Sequence, residues 1–184
     1  KDVGKVGGKN ASLGEMVVQL SSLGIRIPDG FATTAAAYRL FLQESGLEEL
    51  IQTELSNLDR VHFSNLQSIS TQIKTRILAA ALPQKLADQV IAAYRKLVKG
   101  SLEEPGLAVR SSATAEDLPG ASFAGQHDSF LNVQGEEALL KKIIACFASL
   151  YNARAIKYRH DKGFSDTAIA LSVGVQRMVR ADLS

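Results

Sequence analysis

Hydrophobic residues recur at helical spacing near the start of the chain. Ala11, Leu13, Met16, Val17 and Leu20 fall on one side of a 3.6-residue repeat, and Gly24 is a stop. Ser12 with Glu15 fits a Ser-x-x-Glu capping box, which predicts a helix whose mouth lies beside Lys9. Ile25, Ile27 and Pro28 read as a short strand and turn. Thr33 or Thr34 caps a helix from Ala35 to Leu42, and a weaker helical pattern covers Leu47 to Leu58. Ser64 to Ala81 is a clearer helix with Leu66, Ile69, Ile73 and Leu78 inward. Pro83 suits the first turn of another, with Leu86, Val90, Ile91, Tyr94 and Leu97 on one face and Gly100 as its stop.

The pattern then changes. Leu107, Ala108 and Val109 form a short apolar strand ending at Arg110, after which hydroxyls and glycines take over as far as Phe130. Ser129 to Val133 alternates like a strand. Gly135 opens a long helix bearing Leu139, Leu140, Ile143, Phe147 and Leu150, and Ala155 to Arg159 extends the helical structure. The last strand spans Ala168 to Val179. One face carries Ala168, Ala170, Ser172, Gly174, Gln176 and Met178; the other carries Ile169, Leu171, Val173, Val175 and Val179.

Composition narrows the classes. The 184 residues are 46% hydrophobic with a formal net charge of +2. They suit a globular protein with a core and demand neither nucleic acid nor an anionic membrane as partner. The basic start, KDVGKVGGK, has no interleaved aromatics of the kind that stack bases. No apolar run is long enough to cross a bilayer. The single cysteine, Cys146, lies on an apolar helical face, reads as buried packing and fits a reducing, cytoplasmic setting. The chain starts without methionine and ends just after a strand-like run, so it reads as a piece of a larger protein.

Two stretches carry candidate chemistry. In Leu107 to Phe130, Arg110 precedes Ser111, Ser112, Thr114, Ser122 and Ser129, with Gly120 and Gly125 supplying open backbone. A guanidinium with hydroxyls and amides can wrap an anion, phosphate above all; alternatively, Arg110 is a buried ion-pair partner. In Gly4-Lys5-Val6-Gly7-Gly8-Lys9-Asn10, three glycines permit close approach, and Lys9 at a helix mouth adds a point charge where amides and the helix dipole favour phosphate. This is not a Walker A loop: three residues separate Gly4 from Gly8, and Asn10 stands where a serine or threonine would touch magnesium. The other reading of this cluster is a flexible basic start before a capped helix. Gln176 sits in an otherwise apolar or small-residue strand, so its amide needs either a neighbouring backbone or a ligand edge as partner. The three histidines, His62, His127 and His160, lack metal-ligand spacing, and no nucleophile-base pair is apparent.

Five segments, VGGKNASLGEM, GIRIPDGFATT, LAVRSSATAEDLPGASFAGQHDSFLNV, ACFASLYNARAIKYR and GVQRMVRADLS, together resemble the start of the phosphoenolpyruvate synthase (pyruvate, water dikinase) family. The resemblance runs through nearly the whole chain in order and is weakest from about Leu47 to Gly100. It implies an α+β fold, the first part of an ATP-grasp domain, with a mixed, partly antiparallel sheet and a mostly helical insertion at about 41–100. It also implies the conversion of ATP, pyruvate and water to AMP, phosphoenolpyruvate and phosphate through a phosphohistidine. The histidine, the magnesium ligands and the pyruvate site would lie outside this chain, which alone would be inactive. Carried onto matching positions, the resemblance gives Lys9 and Arg110 the ATP phosphates, as catalytic residues, and places Gly125, Ser129 and Gln176 near the nucleotide. Gly120 stands where the family more often has an acidic residue. A homo-oligomer is expected of the full-length protein. The rival expectations are a related dikinase acting on an antibiotic or a glucan, and a nucleotide-sensing module without catalysis.

Overall fold

The computed structural model describes residues 2–114, 128–165 and 168–179. Helix α1 runs Val3–Ser21 and leads through an extended segment to strand β1, Gly30–Ala32. Four helices follow: α2 Ala35–Glu44, α3 Leu47–Ser56, α4 Leu66–Ala79 and α5 Gln84–Val98. Strands β2, Leu107–Ala113, and β3, Ser129–Val133, precede helices α6, Glu136–Ser149, and α7, Ala153–Asp161; β4, Leu171–Arg177, closes the order. The result is an α+β arrangement around a four-stranded sheet in the order β1-β4-β2-β3.

Every pairing among the described strands is antiparallel, where a mixed sheet was expected. The sheet is built around β4, the last strand, which inserts between β1 and β2 and runs against both. A parallel pair would have required a crossover returning the chain to the same end of the sheet.

The sheet has two unlike faces. Leu107 and Val109 of β2 and Val173 and Val175 of β4 are buried with Ile143 and Phe147 of α6 in the main core. Tyr38 and Phe41 of α2 pack on Phe147, with ring centroids 5.2 and 5.5 Å apart. The opposite face carries Ala108, Arg110 and Ser112 beside Gln176, Gly174 and Ser172, paired in that order. Its small residues let α1 approach closely. The strand alternation read from the sequence thus divides a core face from a second face, although β4 starts at Leu171 rather than Ala168 and ends at Arg177 rather than Val179.

Other departures have local causes. The extended stretch containing Ile25 and Ile27 forms no strand; β1 begins at Gly30, where Gly30 pairs with Gln176. Strand β2 continues through Arg110, Ser111 and Ser112 to Ala113, because ladder hydrogen bonds to β4 need only backbone. In α4 the inward positions are Ile69, Ile73 and Ile77, spaced by four; Leu78 lies one residue past that stripe and is half exposed. Thr34 caps α2 as its residue type predicts, accepting from the Ala37 amide at 3.2 Å. Cys146 is fully buried, and desolvation pushes its thiol well above its ordinary range, which leaves it an inert packing residue.

Candidate functional site

Helix α1 is two helical pieces joined at Gly7, whose φ of 73° and ψ of 165° break the helical path. That conformation belongs essentially to glycine. A Cβ there would also stand 2.3 Å from Ser112 Oγ and 2.6 Å from its carbonyl oxygen. The helix therefore starts earlier than the capping box implied. Ser12 lies inside it, and the turn beginning at Gly8 carries Lys9 and Asn10. The close approach that the glycines permit is to strand β2.

Asn10 ties this turn to both central strands. Its backbone N–H donates to Ser112 Oγ at 3.3 Å, and its Nδ2 donates to Ser172 Oγ at 2.7 Å. The Ser172 hydroxyl in turn donates to the Val6 carbonyl. Asn10 Oδ1 occupies the space where a Cβ on Gly174 would be, 2.3 Å away. Val6 and Gly7 thus meet Ser172 and Ser112, and Asn10 meets Gly174. Helix α1 advances along β4 in that strand's own direction.

A cleft of about 740 Å³ opens between α1 and the sheet. Lys9, Arg110 and Gln176 all line it, although they come from three distant parts of the sequence. Its volume suits a small organic ligand. Leu13, Met16 and Val17 from α1 and Pro28 and Phe31 from the β1 segment supply an apolar wall. Arg110 is exposed on β2 beside Gly174 and makes no ion pair among the described residues, so it is not the buried ion-pair partner of the alternative reading. Gln176 Nε2 donates to the Pro28 carbonyl at 3.0 Å, which meets its need for a backbone partner while its side chain lines the cleft. Of the two readings of Gln176, the backbone one is therefore realised, and it leaves the carboxamide oxygen without a partner among the described residues.

Ser129 pairs with Arg110 across β2 and β3 and is exposed, but it does not line the cleft. Gly125, Gly120, Ser122 and His127 lie outside the described residues. The adjacent Asp128 has a part that sequence reasoning missed. Its carboxylate accepts from Asn152 Nδ2 at 3.2 Å and Arg154 Nη2 at 3.3 Å, and its carbonyl accepts from Ser111 Oγ at 3.3 Å. These bonds fasten the start of β3 to β2, to the turn between α6 and α7 and to the first turn of α7. Asn10 and Ser172 were missed as well, for their function depends on a contact 162 residues apart in sequence. A smaller cavity of about 380 Å³ lies among the helices beside Tyr38 and Tyr151 and includes none of the candidate residues.

An exposed lysine and arginine at a cleft with an apolar wall suit a ligand with an anionic part and a flat apolar part. Residues 3–184 match the family model described as pyruvate phosphate dikinase, AMP/ATP-binding domain, and the chain belongs to that family. Within it, the chain is 50% identical to phosphoenolpyruvate synthase of Synechocystis sp. and 48% identical to that of Escherichia coli, over its full length in both cases. It is 51% identical to the phosphoenolpyruvate synthase of Neisseria meningitidis over 98% of its length. The chain spans 23% of the length of each of these three relatives. Among the described residues, no helix is long and apolar enough to cross a membrane.

Proposed function

We propose that the cleft between α1 and the sheet binds ATP, and that the chain is the nucleotide-binding start of a phosphoenolpyruvate synthase of the ATP-grasp type. The observation that carries this reading is the joint lining of one cleft by Lys9, Arg110 and Gln176. The guanidinium of Arg110 takes phosphate oxygens in a bidentate way, and the Lys9 ammonium adds a point charge at the turn that follows Gly7. Both stabilise negative charge as a phosphoryl group leaves. The apolar wall formed by Leu13, Met16, Val17 and Phe31 suits the base, with the Gln176 carboxamide at its edge. Ser129, one strand across from Arg110, and Gly125 are assigned to the surroundings of the nucleotide on the family resemblance. Asp29 is the one carboxylate among the described lining residues. The metal ligands, the phosphorylated histidine and the pyruvate site are assigned to the rest of the longer protein, which works in the cytoplasm as a homo-oligomer.

The test is the product pattern. The full-length protein, given ATP, pyruvate and magnesium, is expected to form AMP, phosphoenolpyruvate and phosphate in equal amounts, followed by phosphorus NMR. Formation of ADP in place of AMP, or turnover that does not depend on pyruvate, would contradict the reading.

A further inference from the structure

We infer that Asn10 and Ser172 are positioning residues that hold Lys9 over the strand bearing Arg110; the inference rests on the reading of the cleft as an ATP site. Lys9 is exposed and sits on a turn with a break in the helix just before it. A cation serves a phosphate only where the backbone that carries it is held at the right distance and angle. The structure fixes that backbone at the neighbouring residue. Asn10 is bonded to β2 through its backbone N–H and to β4 through its Nδ2. Ser172, fully buried, accepts from Asn10 and donates to the Val6 carbonyl, so one hydroxyl clamps the chain on both sides of Gly7.

The register gives this clamp a direction. Ser112 pairs with Ser172, and Arg110 pairs with Gly174, the residue over which the Asn10 carboxamide lies. Asn10 thus covers the cross-strand neighbour of Arg110, and Lys9 is the residue before it. Any side chain on Gly174 would displace Asn10, and any on Gly7 would displace the turn from Ser112. Two glycines and two serines thereby set the relation between the two cations, with no contact from the serines to the nucleotide required.

The experiment is a double-mutant cycle on ATP affinity in the full-length protein, measured by calorimetry with Ser172→Ala, Lys9→Ala and the double variant. If Ser172 acts through Lys9, Ser172→Ala weakens ATP binding about five- to tenfold, as expected for loss of a hydrogen bond. The same change then costs less than about twofold once Lys9 is alanine. A merely structural role predicts penalties that multiply, because a displaced helix harms the cleft whether or not Lys9 is present. Multiplying penalties, or no effect of Ser172→Ala, would overturn the inference. Unchanged affinity in Lys9→Ala alone would overturn the nucleotide reading, and this inference with it. Asn10→Asp keeps the side-chain volume, removes the donor to Ser172 and runs the same cycle should Ser172→Ala fail to fold.

Discussion

Arg110 stands exposed on β2 and makes no ion pair among the described residues, so little of the fold depends on its charge. Arg110→Ala in the full-length protein is expected to leave the melting temperature within about 1–2 °C, as for other surface substitutions. ATP affinity is expected to fall by about ten- to a hundredfold, the loss typical of hydrogen bonds to a charged group. A large drop in melting temperature with intact ATP binding would reverse the assignment and make Arg110 structural. The residues that could be picked from sequence are those whose chemistry is out of place. An arginine after an apolar strand and a glutamine in a strand of valines and small residues are conspicuous, and both line the cleft. Asn10, Ser112 and Ser172 are ordinary residue types, and their importance exists only in the contact between them. In sequence Asn10 stands out as the residue in place of a magnesium-touching serine or threonine; in the structure it joins two strands.

At the level of elements, the α1 break decides how the cleft is built. Gly7→Ala would force a Cβ into Ser112 while holding a backbone conformation that alanine strongly disfavours. The backbone contribution alone is about 1–3 kcal/mol. The expected result is a lower urea midpoint for the unfolding transition that includes this domain, together with weakened ATP binding. An unchanged midpoint with unchanged affinity would show that α1 does not dock on β2 as described. Helices α2 to α6 were legible in sequence because each buries a repeating apolar stripe, and the errors there were small, as at Leu78. The start of α1 and the length of β2 were not legible. Glycines conceal a helix that leans on a neighbouring strand, and serines conceal a strand whose ladder is made by backbone. Hydroxyl-rich sequence after Arg110 suggested a loop; in the structure Ser111 and Ser112 are buried sheet residues.

For the molecule as a whole, one sheet serves two purposes. Its apolar face is spent on the core with α6 and α2, which gives the rigidity that a binding site needs. Its other face, floored by small residues, is left to α1 and the cleft. This division was visible in advance in the alternation along the last strand, whereas the antiparallel insertion of that strand between β1 and β2 was not, because pairing partners far apart in sequence leave no local signal. Membership of the dikinase AMP/ATP-binding family and the lining of one cleft by both Lys9 and Arg110 are separate observations, and the proposed ATP site accounts for both. The most direct measurement is a crystal structure of the full-length protein with ATP bound. Phosphate oxygens are expected within hydrogen-bonding distance of both the Lys9 ammonium and the Arg110 guanidinium, with the base against Met16, Val17 and Phe31. A nucleotide seated elsewhere, with both cations turned away from its phosphates, would contradict the proposed site.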